Sequence, residues 1–208
     1  MKTVAALYVD QRGPYPKLPS VECWDESRDA RRYAGPHPVV AHPPCARWCK
    51  LAKFVQAAHG VPARADGGTF AHALAAARRF GGVLEHPAWS LAWDHFGLLH
   101  PLSYRWSRAR EGYWVCSVAQ AAWGHEAMKQ TWIVLFGADP PEDTRWEKPR
   151  GTKTVTHLAP RHPGDFNDTG RGPEERMSKS AVHLTPPAFA EWLVGMARRA
   201  QPGQTAAA

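Results

Sequence analysis

The chain has 208 residues, 44% hydrophobic and 22% charged, with a net charge of +7 and a pI near 9.5. That length accommodates one domain with a sizeable core. No apolar run reaches the roughly 18–20 residues of a membrane span, which argues against a membrane protein. The positive charge points to an anionic partner, with DNA or another nucleic acid the first candidate.

The opening Met1–Asp10 has too short an apolar run for a signal peptide, and Asp10 and Arg12 follow at once. It reads as a first buried strand over Thr3–Val9 in an intracellular, cytoplasmic protein. Residues 11–20 carry three prolines and form a loop. Val21–Trp24 reads as a second strand and Asp25–Tyr33 as a short helix closed by Gly35-Pro36. Pro38–His42 is a third strand, stopped by Pro43-Pro44. A helix is expected from about Ala46 to His59, with Trp48, Leu51, Ala52 and Val55 on one face. Thr69 is the expected N-cap of a helix over 70–80, and Gly81-Gly82 end it. Val83-Leu84 then lead as a strand into Glu85-His86-Pro87.

Strands that alternate with helices in this way predict a parallel sheet. In open parallel sheets ligands bind outside the carboxyl ends of the strands, where Cys45 and Glu85 both fall. Adjacent strands are only about 5 Å apart, so one pocket can receive both side chains. Tyr113–Val118 and Thr131–Phe136 read as a late antiparallel hairpin. Residues 138–176 form a long polar loop or insertion. Thr185-Pro186-Pro187 opens a last helix with Phe189, Trp192, Leu193 and Met196 on one face. The expected domain runs over 1–200, with a disordered tail at 201–208.

Four cysteines are present without a CxxC pair, and the cytosolic reading argues against a disulfide framework. Cys45, Cys49 and a histidine such as His42 could build a zinc site, but the second ligand pair that makes such motifs specific is missing. A cysteine just past a strand, with a helix N-terminus and Arg47 beside it, is a candidate thiolate nucleophile. The competing reading is a packed, inert cysteine. Glu85 at the next strand end is a candidate acid, base or hydrogen-bond acceptor. Ten tryptophans are present, several beside basic residues, such as Trp48 near Arg47, Trp106 near Arg105 and Trp146 near Lys148. That pairing suits base stacking and phosphate contact, although core packing explains most tryptophans equally well.

The order of motifs resembles the cytosine-5 DNA methyltransferases, and more closely the short phage and prophage proteins related to them. His42-Pro43-Pro44-Cys45 matches the family's Pro-Cys motif, and Glu85-His86-Pro87 matches in part its Glu-Asn-Val motif. Trp123-Gly124, Lys129 and Trp132–Gly137 resemble a later motif, and Leu184-Thr185-Pro186 resembles the one that opens the last helix. Asp25 has the spacing of the family's ribose-binding acid. Tyr8–Pro14, with the single Gly13, stands where the family has a Gly-rich turn.

The resemblance implies a Rossmann-like methyltransferase fold, mostly parallel with flanking helices and without a separate target-recognition domain. It implies S-adenosylmethionine as cofactor, held near Asp10, Gly13, Asp25 and Pro43. Cys45 would attack C6 of a pyrimidine while Glu85 holds N3 and the exocyclic amine, and Lys129 would sit near the base or phosphates. His42, Arg47, Trp48, His86, Trp123 and His125 would contact the substrate. Other readings keep some of these residues: an enzyme on free pyrimidine nucleotides or with another donor, a non-catalytic nucleic-acid-binding relative, and a zinc-stabilised binding protein.

Overall fold

The structure is a computed structural model describing residues 1–49, 52–60, 62–154 and 175–203. Leu51, the side chain of Val55, residues 155–174 of the expected long loop and residues 204–208 of the expected tail lie outside the described residues.

The described residues build one seven-stranded sheet in the order β2-β1-β3-β4-β7-β6-β5. Its strands are β1 (Val4–Leu7), β2 (Val21–Trp24), β3 (Val39–Ala41), β4 (Gly82–Pro87), β5 (Ser107–Arg108), β6 (Trp114–Ala119) and β7 (Gln130–Phe136). The helices are α1 (Ala52–His59), α2 (Thr69–Phe80), α3 (Leu91–His95), α4 (Lys179–Val182) and α5 (Pro187–Arg199). Among the described residues no helix is long and apolar enough to cross a membrane.

The expected mostly parallel, Rossmann-like methyltransferase sheet is not what forms. β2, β1, β3 and β4 pair in parallel. β7 then lies antiparallel to both β4 and β6, and β5 is antiparallel to β6. The sheet is therefore mixed, and its longest pairings, β4–β7 and β6–β7, are antiparallel. The physical reason lies in the second half of the chain. β6 and β7 are joined by only ten residues, through a 3-10 turn at Gln120–Trp123, and such a link reverses the chain rather than crossing it over. β7, apolar on both faces, is buried between β4 and β6.

Alternation along the strands sends side chains to two cores. Ala5, Leu7, Val39, Leu84 and Val134 face α2 and α3, against Phe70, Leu74 and Trp93. Val4, Ala6, Val40, Val83 and Ile133 face α5, against Phe189, Leu193 and Met196. α5 forms because its apolar residues recur at three- and four-residue steps, Pro187 occupies the first turn, and Arg198 and Arg199 sit at the carboxyl end.

Local differences from the expected elements have local causes. The 25–33 helix shrinks to a 3-10 turn at Ala30–Arg32, capped by the Asp29 side chain. After Cys45 the chain makes a turn, and α1 starts only at Ala52. α2 starts at Thr69, so threonine is its first residue rather than its cap. Asp66 does the capping from the loop. Its Oδ2 accepts from the Phe70 amide at 2.8 Å, the Thr69 hydroxyl at 2.9 Å and the Trp48 indole at 2.9 Å, and its Oδ1 accepts from the Gly68 amide. This one carboxylate both starts α2 and anchors the turn after Cys45. Asp66→Ala is expected to lower the unfolding free energy by about 2 kcal/mol, at the upper end for a lost cap, because the Trp48 indole loses its partner as well. A urea unfolding midpoint unchanged from wild type would contradict this role.

Candidate active site at the carboxyl edge of the sheet

The pairing directions place the carboxyl ends of β1, β2, β3, β4 and β6 at one edge, together with the start of β7. Tyr8–Asp10, Asp25, His42–Cys45, Glu85–Pro87, Gln120 and Lys129 all emerge there. β2 lies on one side of β1 and β3 on the other, so the chain order reverses at β1, which is where open sheets leave a crevice.

A cavity of about 980 Å³ occupies this crevice, lined among others by Tyr8, Asp10, Arg12, Asp25, Asp29 and Pro44. Asp10 takes Arg12 in a two-point ion pair, and Asp29 takes Arg31 in the same way. Asp25 accepts from Ser27, Gln11 and the Arg28 amide. The Arg12 and Ser27 hydrogen bonds hold Asp10 and Asp25 respectively at about 2, so both are carboxylates at neutral pH. Glu26 also lines the cavity, which therefore has two more carboxylates than guanidinium groups. Gly13 closes the loop below, its amide bonded to the Asp10 carbonyl at 2.9 Å. A Cβ there would stand 3.0 Å from that same oxygen. Pro43 is buried, and its neighbour Pro44 lines the cavity.

Beside the cavity lies a polar cluster on the α5 side of the sheet. Glu85, 7% exposed, accepts from His42 Nδ1 at 2.7 Å on Oε2. Its Oε1 accepts from Thr131 Oγ1 at 2.9 Å and Gln120 Nε2 at 3.2 Å. His42 Nε2 meets the Tyr15 hydroxyl at 2.5 Å. Burial would raise the Glu85 pKa, but the hydrogen bond from His42, with the Lys129 charge beside it, outweighs burial and holds the group at about 2.

Lys129 couples to both Glu85 and Cys45, which oppose the lowering of its pKa by burial. Its ammonium also donates to the Leu184 carbonyl at 3.0 Å, which ties the site to the segment before α5. Cys45 was expected to be favoured as thiolate by a helix N-terminus and Arg47. No helix starts there, and burial, then Glu85 and Cys49, push the thiol pKa up, with Lys129 acting against them. The resting side chain is a neutral thiol.

The expected substrate-contacting residues are distributed unevenly. His42 stands in the cluster. His86 is fully buried against Phe70 and Trp93, where burial lowers its pKa to about 4 and keeps it neutral. Trp48 is 2% exposed and bonded to Asp66, and Trp123 packs on Phe189 and Trp192. His125 is buried, and its Nδ1 accepts from the Ala127 amide. Arg47 is half-buried, in the turn whose carbonyl receives the Arg64 amide. Among the described residues no group of three histidines, cysteines or acids is arranged to hold a metal ion.

Tyr15, Thr131 and Gln120 belong to the cluster but were not singled out in the sequence. Gln120 had a signal, a polar residue directly past an apolar strand. Tyr15 had none, because its loop meets β3 only through tertiary packing.

Backbone strain collects at this edge. Tyr8, Asp29, Trp89 and Lys129 have φ between 38° and 60°, four of seven such non-glycine residues among the described ones. Bulky side chains rarely occupy this region, and it is enriched at ligand sites.

The sequence matches no family model and no curated protein, and no solved structure matches the fold.

Proposed function

We propose that this chain is a cytosine-5 methyltransferase-like enzyme. It would act on a pyrimidine base in DNA, with Cys45 as nucleophile and S-adenosylmethionine as donor. The observation that carries the reading is the continuity of Pro44 and Cys45. Pro44 lines the large cavity, and the next residue shares an electrostatic site with Glu85 and Lys129.

The cavity suits the cofactor by its charge. An excess of carboxylates repels polyphosphates and folate-type polyanions and attracts a sulfonium nucleoside, and its size lies at the upper end of small-molecule sites. Asp25 and Asp10, both ionised, would accept from ligand hydroxyls and the ammonium group. When bound, S-adenosylmethionine supplies an electrophilic methyl group. Cys45 would add its sulfur to C6 of the ring while the thiol proton passes to ring N3, which makes C5 nucleophilic. Methylation of C5 would release S-adenosylhomocysteine; the C5 proton would then pass to water as the S–C6 bond breaks, and the N3 proton would return to sulfur to restore the Cys45 thiol. The raised thiol pKa in the resting site agrees with arming by substrate. A donor on the base that shares Glu85's charge weakens the force opposing the thiolate, while Lys129 keeps favouring it.

The base must leave its stack to reach Cys45. Trp89, 40% exposed two residues past the end of β4, and Tyr104, 61% exposed beneath the Lys148 ammonium, offer aromatic surface for that strand.

The test is covalent trapping. DNA carrying 5-fluorocytosine, with S-adenosylmethionine, is expected to give a denaturation-resistant adduct with wild type and none with Cys45→Ser. Asp25→Ala is expected to weaken calorimetric binding of S-adenosylmethionine about tenfold or more, the loss of a hydrogen bond to a charged group. No adduct and no cofactor binding would overturn the reading in favour of a non-catalytic nucleic-acid-binding protein, for which the neutral resting thiol already speaks.

A further inference from the structure

Tyr15 and His42 are not used by the reaction as described, yet they run in one hydrogen-bonded line to Glu85. The hydrogen bonds along this line can be accounted for atom by atom. Tyr15 is 2% exposed, and burial pushes its pKa well up, so the phenol keeps its proton. Among the described residues, the only hydrogen-bond partner of its hydroxyl is His42 Nε2. If Nε2 carried a proton, the phenol would accept and its own hydrogen would be left buried without a partner, which costs as much as a lost hydrogen bond. If Nε2 is bare, the phenol donates to it, Nδ1 carries the ring proton, and Nδ1 donates to Glu85. Every group is then satisfied.

The same accounting applies to Glu85. A carboxylate has about four acceptor sites. Thr131 and Gln120 occupy those of Oε1, and His42 occupies one of Oε2. One site on Oε2 remains, on a side chain that keeps 9% of its surface open at the strand end. The two-point hold on N3 and the exocyclic amine, implied by the resemblance, would need more acceptor capacity than is left.

The geometry points to Tyr15 and His42 as positioning residues. The Glu85 carboxylate keeps a proton on Nδ1 and the buried phenol keeps Nε2 bare, so His42 is the neutral Nδ1–H tautomer, and it in turn holds Glu85 so that the carboxylate reads a single N–H donor on the edge of the pyrimidine. This rests on the proposed function for what the site binds. The titratable groups around this hydrogen-bonded line are Cys23 on β2, Cys45 after β3, Lys129 before β7 and, from the opposite face of β4, His86. Tyr15 and His42 do not touch the reacting atoms. They set the direction and the protonation of the group that does.

The tautomer is read without activity, by nitrogen NMR of the full chain labelled in its histidines, with the His42 signal assigned from His42→Asn. Wild type is expected to show a protonated Nδ1 and a bare Nε2 for His42, and Tyr15→Phe to keep Nδ1–H to Glu85 but gain protonation at Nε2, while keeping the fold. A protonated Nε2 in wild type, or a pattern unchanged in Tyr15→Phe, overturns the assignment.

The second arm uses trapping. Asparagine at position 42 can place its amide N–H where Nδ1–H stands, and leucine cannot. His42→Asn is expected to keep the adduct rate within about tenfold of wild type, and His42→Leu to lose about 10- to 100-fold, the range for one hydrogen bond to a charged group. Equal losses in both overturn the positioning role.

DNA with 5-fluorouracil, run beside 5-fluorocytosine, distinguishes a ring N–H from an exocyclic one as the donor. Capture of N3-methyl-5-fluorouracil, which offers neither, overturns the single-donor reading. If wild type forms no adduct with any of these, the proposed function fails, while the NMR arm still decides the tautomer.

Discussion

Glu85→Gln is expected to lower the unfolding free energy at pH 7 by about 3–5 kcal/mol, the cost of removing one partner from a buried charged network. The carboxylate accepts from His42, Thr131 and Gln120. Glutamine keeps one acceptor oxygen and turns an NH2 group towards donors, so at least one buried N–H or O–H faces another. With total stabilities of about 5–15 kcal/mol for ordinary domains, this is a large share.

The pH dependence follows with a definite sign. Glu85 lies below its ordinary 4.5, at about 2. A lowered pKa in the fold means that the ionised group stabilises the fold above pH 4.5 and loses that contribution as pH falls towards 2. The difference between wild type and Glu85→Gln, measured by urea unfolding at steps from pH 7 to pH 3, should therefore be constant above 4.5 and shrink below it. The exposed carboxylates Asp10 and Asp25 also titrate low, but they are common to both proteins and cancel in the difference. A difference that stays flat through the acid range would mean that Glu85 is not held by His42 as the 2.7 Å contact indicates.

How far the sequence reveals this site depends on how local each feature is. Cys45 and Glu85 were legible because each lies near the carboxyl end of an apolar run, which is a local signal, whereas Asp25 entered only through the resemblance. β1, β2, β3, α2 and α5 were legible for the same reason, through runs and stripes of apolar residues. The sheet as a whole was not. The 131–136 run marks a buried strand, but nothing in it says that β7 enters between β4 and β6. That is settled by which partner covers both of its faces, a choice made over distant parts of the chain. The thiolate expectation at Cys45 failed on a boundary. Periodicity put the helix start near Ala46, whereas Trp48 turns inward to bond Asp66 and delays α1 to Ala52. The tryptophans read as nucleic-acid contacts illustrate the ambiguity of composition. Trp48 and Trp123 are core residues, and Trp89, which follows the Glu85 motif without a basic neighbour, is the exposed one.

Gly82→Ala is expected to be more damaging than any substitution in the cavity. Gly82 pairs with Val39 at the start of β4 and has φ +120°, a conformation L residues rarely adopt. A Cβ there would stand 2.0 Å from the Val39 carbonyl oxygen and 2.7 Å from its amide nitrogen. Both are backbone atoms of the neighbouring strand, so no rotamer change relieves the collision, and β3 and β4 must part. The expected loss exceeds about 4 kcal/mol, in the range reserved for backbone clashes and strain, and little soluble folded protein should be recovered. Gly195→Ala is the control. A Cβ at Gly195, within α5, meets nothing within 4 Å, and alanine there should stabilise by about 0.5–1 kcal/mol through helix propensity. The contrast tests more than stability. His42 extends β3 and Glu85 lies on β4, three residues or about 10 Å along from Gly82. The 2.7 Å link between them therefore depends on how closely these two strands pair. If Gly82→Ala unfolded at the wild-type midpoint, the strands could not approach as the Val39–Gly82 pair requires. The register that brings the nucleophile's strand to the carboxylate's strand would then be wrong as well.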